Sequence, residues 1–377
     1  MLSRLFKYAI CVSALLHYSI SSNAQNIPKG LSLEGSFHFG KALKHRDYIT
    51  VDMSNYVYGA EFNAEFETYG KKHWHQRCGY PRWGIALSYL HYGNNKEIGH
   101  NIGIMPNITA DFFQKGNWRI FGRLGVGLSI ITKPYHIINN PQNNIIGSYL
   151  NNITAFRVGF GWRVHENIEI RPSASFTHSS NAASQFPNLG INVPSLHIGI
   201  CYTPNPIEKT DIIKVSKDSL PKHNWRPQFS VIGTIGYREQ GTQRGPKYPV
   251  YTFMADAGIY ITRNQKIKAG VEIEYLQSTH EFMRHNGGYG DNLFLKSSLV
   301  ALYVTHEWMF GRFSINTQAG FYVSKAPILP WFMYIRFMAR YHFLDPFKSK
   351  VAPFIGISMK AHKAVAKYYA FSLGVSF

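Results

Sequence analysis

Residues 175–192 read SFTHSSNAASQFPNLGIN. His178 precedes Ser180 by two positions, Asn181 follows at once, and an Asn-Leu-Gly turn comes at 188–190. A serine hydroxyl is a weak nucleophile until a base takes its proton, and imidazole is suited to that task near neutral pH. On an extended strand, residues i and i+2 project from the same face, so His178 and Ser180 can meet. An amide such as Asn181, with nearby backbone N–H groups, can stabilise the oxyanion formed when an ester carbonyl is attacked. The chemistry on offer is acyl transfer to a serine. A His-x-Ser pair is by itself a weak signal, and two polar groups closing a strand at a membrane interface would look the same.

Parity along that strand separates two faces. Ile168, Ile170, Pro172, Ala174, Phe176, His178 and Ser180 share one; Glu169, Arg171, Ser173, Ser175, Thr177 and Ser179 share the other. The first set suits lipid and the second a polar lumen. His178 and Ser180 therefore end the lipid-facing ladder, where polar groups are costly unless they sit near the interface or serve a purpose. With the N-terminus in the periplasm, odd-numbered strands run outward and the pair reaches the depth of the outer leaflet. A substrate would enter sideways, from the membrane.

The elements that must carry such a site are strands throughout. The 377 residues are 45% hydrophobic, 15% aromatic and only 16% charged, and no apolar run after residue 24 approaches the roughly 20 residues of a membrane helix. Sixteen segments alternate with period two. In the first half they are 30–42, 55–68, 83–93, 100–113, 117–131, 148–164, 167–180 and 195–203. In the second they are 227–238, 249–263, 265–277, 293–309, 312–324, 331–343, 352–362 and 367–377. Most exceed the usual five or six residues of soluble strands and match tilted membrane-spanning ones. Gly93-Asn94, Asn139-Asn140 and Asn264-Gln265 supply turn chemistry, and no helical periodicity is evident. The last segment, YYAFSLGVSF, sets Tyr369, Phe371, Leu373, Val375 and Phe377 against small or polar residues, as does LHIGICY with Leu196, Ile198, Ile200 and Tyr202. A soluble sandwich strand shares this alternation; the terminal Phe and the aromatic density favour a closed outer-membrane barrel.

The expected fold class is all-β, a transmembrane antiparallel β-barrel of about sixteen strands. Residues 204–227, rich in Pro, Lys and Asp, read as a linker between a unit at 25–203 and a second at 228–377. Periplasmic turns are normally short, so this connection favours two eight-stranded units over a single sixteen-stranded barrel. Residues 1–24 read as an export signal, with Arg4 and Lys7 before an apolar run and Ser22-Asn23-Ala24 at its close. Losing Arg4 and Lys7 lowers the formal charge from +19 to +17, a surplus suited to an anionic lipid or glycolipid surface; an exported chain rarely meets nucleic acid. Cys78 and Cys201 remain, either as one disulfide or as two free thiols.

The stretch HSSNAASQFPNLGIN closely resembles the HxSN…N-x-G segment of PagL-type lipid A 3-O-deacylases, outer-membrane barrels of eight strands. The likeness is strongest over 175–202 and extends loosely over 25–205. It implies removal of an ester-linked acyl chain from lipopolysaccharide, with Ser180 as nucleophile, His178 as general base and Asn181 as an oxyanion-hole contributor. The family's mechanism is calcium-independent, so no metal or other cofactor is implied, and lipid A with the surrounding outer-membrane lipids is the implied partner. The acidic member expected fourteen residues after the histidine is Asn192 here, and no Asp or Glu occurs between Arg171 and Ile207. An amide can orient an imidazole, as in Cys-His-Asn enzymes, yet stabilises imidazolium less well; weak activity, another orienting residue or lost catalysis each follow from that change. The glycine expected two residues past Asn181 is Ala183, whose backbone N–H can still serve.

Elsewhere the signals are thinner. FIGISMKAHKAVAKYY in the second half carries His362, but parity sends His362 and Lys360 to the lumen and no serine follows at i+2, so this half reads as structural or accessory. His73-Trp74-His75 lacks a third ligand at metal spacing. Basic groups at Lys41–Arg46 and Lys71–Arg77 suit lipopolysaccharide phosphates or a solvated loop. The contrasting function is a non-catalytic barrel, a pore or a surface protein.

Overall fold

Alternating apolar and polar residues fold here as expected, into strands whose two faces meet different surroundings. The computed structural model describes residues 27–216, 227–239, 243, 245–324, 326–329, 332–363 and 365–377; the proposed export signal lies outside them. The first eight strands are β1 (Leu31–Lys41), β2 (Tyr56–Glu67), β3 (Arg82–His91), β4 (His100–Lys115), β5 (Trp118–Ile131), β6 (Leu150–His165), β7 (Ile168–Ser180) and β8 (Ile191–Tyr202). The next eight are β9 (Gln228–Glu239), β10 (Lys247–Tyr260), β11 (Gln265–Leu276), β12 (Ser298–Phe310), β13 (Phe313–Tyr322), β14 (Met333–His342), β15 (Ala352–His362) and β16 (Val365–Ser376). Each set closes on itself, β1 pairing with β8 and β9 with β16, all antiparallel. The single sixteen-stranded alternative is thereby excluded. Closure leaves no unpaired strand edge, which a bilayer would not tolerate.

The outward faces are apolar: Phe37, Trp83, Leu128, Leu196, Phe371 and Leu373 all stand exposed. The inward faces are polar and closely paired. In the first barrel Arg171 Nη1 lies 2.7 Å from Glu34 and 2.6 Å from Glu65, while Arg123 Nη2 lies 2.6 Å from Glu34. In the second, Lys360 and Arg336 converge on Glu272 at 2.6 and 2.8 Å, and Lys360 also contacts Glu274. His362 faces the same lumen, with Nε2 2.9 Å from the Tyr322 hydroxyl. These side chains plug both interiors.

Three local departures from the sequence reading have identifiable causes. Short helices occur: α1 (His73–Arg77) in the β2–β3 turn, and α2 (Gln277–Asn286) with α3 (Leu293–Lys296) between β11 and β12. The last accounts for the late start of β12, because 293–296 is helical rather than strand. Pro194 suggests a late start for β8 as well, yet the strand begins at Ile191 and pairs through the proline, Pro194 standing opposite Phe176. Finally, the first part of the linker is docked. Gln76 exchanges two hydrogen bonds with Val215, at 2.8 and 2.9 Å, and Ile213 N–H donates to the Tyr69 carbonyl at 2.8 Å.

The two barrels touch at both ends. At the end carrying α1, Arg77 lies 4.4 Å over the Phe347 ring and Asn264 Nδ2 is 3.4 Å from Cys78 Sγ. Cys78 and Cys201 are free thiols. At the opposite end, β9 meets the β7–β8 loop.

Candidate active site

The early start of β8 is what assembles the site. Antiparallel register places Asn192 directly opposite His178, and cross-strand neighbours of this kind have side chains within easy reach. His178 Nδ1 lies 2.6 Å from Asn192 Oδ1, and its Nε2 lies 3.0 Å from Ser180 Oγ. With the Asn192 carbonyl oxygen accepting from Nδ1–H, Nε2 keeps its lone pair and accepts from the Ser180 hydroxyl. Ser180, His178 and Asn192 thus form a continuous chain on the outward face. Ser179, one residue earlier, points inward and takes a hydrogen bond from Asn101 at 2.9 Å.

The imidazole has a seat made by Gly190. That residue holds φ +78°, and a Cβ there would lie 2.7 Å from His178 Cε1. Only a glycine meets both demands without strain. Behind it, Leu189 and Gly190 donate their N–H groups to the Ile145 carbonyl at 3.0 and 3.2 Å. Leu43 N–H donates to the Asn192 carbonyl at 2.8 Å, and His45 Nε2 lies 3.2 Å from the Leu189 carbonyl. Three loops therefore converge on one side chain.

The segment after the serine is folded back tightly. Ala182 and Ala183 adopt φ +49° and +60°, a left-handed region that costs side-chain-bearing residues about 1–3 kcal/mol and is retained where the surroundings over-determine it. Neither of their N–H groups has a hydrogen-bond partner among the described residues. Asn181 is otherwise engaged: its Nδ2 donates to Ser148 Oγ and the Gln185 carbonyl, both at 2.8 Å, and its backbone N–H donates to Asn188 Oδ1 at 2.9 Å. Its side-chain donors are thus spent on two loops, and of the expected pair, Asn181 and Ala183, the N–H of Ala183 is the one with no partner among the described residues.

Polar and apolar strips flank the triad. Register sets Asn152 beside Ser180 and Thr154 beside His178, with Phe156 beside Phe176 next along the barrel. Phe156, Phe176, Val126 and Leu196 are exposed. Of the two basic groups, Lys41–Arg46 borders the site through Leu43 and His45. Lys71–Arg77 lies at the opposite end, where α1 and the contact with Phe347 account for it. His75 Nδ1 accepts the Gly70 N–H at 3.3 Å.

Comparison with known proteins separates the two barrels. Residues 58–200 match the family model of lipid A 3-O-deacylase (PagL). Residues 225–377 match the model described as the acyloxyacyl hydrolase C-terminal domain. The chain is a PagL-type lipid A deacylase. The first barrel of this PagL-type chain carries the site, and family membership makes it an outer-membrane protein and a lipid A deacylating enzyme. Among solved structures, the outer membrane enzyme PagL is similar at 19% identity over 44% of this chain and 97% of that one, with a TM-score of 0.30. Neisserial surface protein A is similar at 9% identity over 46% and 97%, with a TM-score of 0.32. No curated protein matches at a significant level.

The sequence assigns no site role to Ser148, Asn188, Gly190 or His45. The Asn-Leu-Gly turn flagged two of them, but nothing local to Ser148 or His45 signals a loop contact made across the barrel rim.

Proposed function

We propose that Ser180 attacks an ester-linked acyl chain of lipid A presented from the outer leaflet, with His178 as general base and Asn192 orienting the imidazole. The observation that carries this reading is the unbroken hydrogen-bonded series Ser180–His178–Asn192 on a lipid-facing strand end. His178 takes the Ser180 proton as Oγ bonds to the ester carbonyl carbon. The resulting oxyanion is met by the Ala183 N–H, and collapse expels the sugar alkoxide, which takes the proton from imidazolium. Water, activated by the same imidazole, then releases the fatty acid. The exposed strip of Phe156, Phe176 and Leu196 accommodates the acyl chain, and Lys41, Lys44 and Arg46 suit the anionic headgroup. The plugged lumens favour this over a pore. Asn192, an amide where the family pattern has an acid, would leave a working but slowed enzyme, exported through a leader at residues 1–24. On this reading residues 25–203 form the catalytic unit, 204–227 the connection and 228–377 an accessory barrel.

The test is mass spectrometry of lipid A from cells lacking the gene and complemented with wild type, Ser180→Ala or His178→Ala. Wild type should remove one acyl chain and neither variant should. A variant that restores the wild-type pattern refutes the assignment.

A further inference from the structure

Glu239 occupies a position that its own barrel does not explain. It ends β9, and the outward face of that strand includes Phe229, Tyr237 and the half-buried Val231 and Ile235. By alternation the Glu239 side chain belongs to that face, where a carboxylate against lipid is unfavourable. It is nevertheless only 1% exposed, because the β7–β8 loop of the first barrel covers it. Its carboxylate accepts the Phe186 N–H, and its own N–H donates to the Ala183 carbonyl at 3.2 Å. A carboxylate accepting a backbone N–H makes a charge-assisted bond, stronger than a neutral one.

The loop so held is the one that follows Ser180. It contains the two left-handed alanines, whose conformation needs outside support, and Gln185, whose carbonyl anchors the Asn181 amide. The two hydrogen bonds from Glu239 bracket the segment 183–186. We infer that Glu239 is a positioning residue by which the second barrel holds the oxyanion-side loop of the first in its working geometry. This rests on the deacylase reading and assigns a role to the accessory barrel: it touches neither substrate nor reacting atoms, and acts through Ala183 and Phe186.

A two-part experiment on the full-length chain in detergent tests this. Hydrogen–deuterium exchange over residues 181–190 is independent of catalysis; Glu239→Ala should exchange faster there than wild type, with strand amides unchanged. Hydrolysis of lipid A by the same preparations should show kcat down roughly tenfold with KM within about twofold, as expected when a transition-state contact is displaced rather than removed. Glu239→Gln, which keeps an acceptor for the Phe186 N–H, should recover most of that loss. Heat-dependent gel mobility identifies intact barrels for each variant. Unchanged loop exchange in Glu239→Ala overturns the clamp, as does faster exchange with unaltered kcat. A wild type that hydrolyses no lipid A overturns the deacylase reading, while faster loop exchange in Glu239→Ala than in wild type still upholds the clamp.

Discussion

Asn192→Asp should make this enzyme faster. In the proposed mechanism, proton transfer turns His178 into imidazolium in the transition state, and the group facing its Nδ1 at 2.6 Å is a neutral amide. Placing a unit negative charge there, with charge centres about 4 Å apart, is worth about 4 kcal/mol at an effective dielectric near 20 and about 1 kcal/mol in water. Asn192 is half-buried, so the gain falls between these limits, less the cost of partly desolvating the carboxylate. A net 1.4–2.7 kcal/mol corresponds to about ten- to a hundredfold in kcat. A second effect adds to it. The Asn192 amide nitrogen has no hydrogen-bond partner among the described residues, so little prevents the amide from turning its N–H toward Nδ1. That orientation would favour the tautomer protonated at Nε2, which cannot accept from Ser180; a carboxylate offers only acceptors. Initial rates of acyl release from lipid A, followed by mass spectrometry on purified full-length protein, read the result. Because the gain appears only with developing charge, KM should hardly change. An equal or lower kcat in an intact barrel would refute the assignment of Asn192 as the histidine's partner.

Other expectations follow from the same geometry. Gly190→Ala adds a Cβ 2.7 Å from His178 Cε1 at a positive φ; displacing the ring by this much should lower kcat by about a hundredfold while gel mobility reports a folded barrel. Asn188→Ala removes the acceptor of the Asn181 N–H and should lower kcat several-fold, with a thermal midpoint close to wild type because the strands are untouched. Burial pushes the Cys78 thiol up to about 11, so at pH 8 little thiolate is present. Alkylation of the folded chain should be slower than that of an exposed cysteine by roughly a hundredfold and become fast on unfolding. Mass measurement of the unreduced protein should show two free thiols.

Much of this molecule is legible from period-two alternation. Strand positions, faces and count follow from it, since a chain that spans lipid with strands must pair every backbone group in closed sheets. The outward placement of His178 and Ser180 follows from parity alone. Pro194 hid the true start of β8: its missing N–H argues against a strand, whereas pairing with β7 tolerates it and carries the ladder back to Ile191. Asn192 is thereby brought opposite His178, a contact that rests on register rather than local sequence. Chain composition also leaves the helices at 277–286 and 293–296 unannounced, because loops between barrel strands are under no alternation constraint.

What the residues themselves determine is the identity of the proposed reacting groups: a serine, a histidine two positions away, and an amide where an acid is expected. Tertiary structure decides which donors are still free. Asn181 reads as an oxyanion donor in sequence, yet its N–H groups are spent on Ser148, Gln185 and Asn188, and of the two expected donors Ala183 keeps an N–H with no partner among the described residues. It also decides that a carboxylate of the second barrel reaches the first barrel's loop. Hydrogen-bond capacity is finite, and how it is divided among loops from three hairpins and a strand of the second barrel is fixed only when they meet.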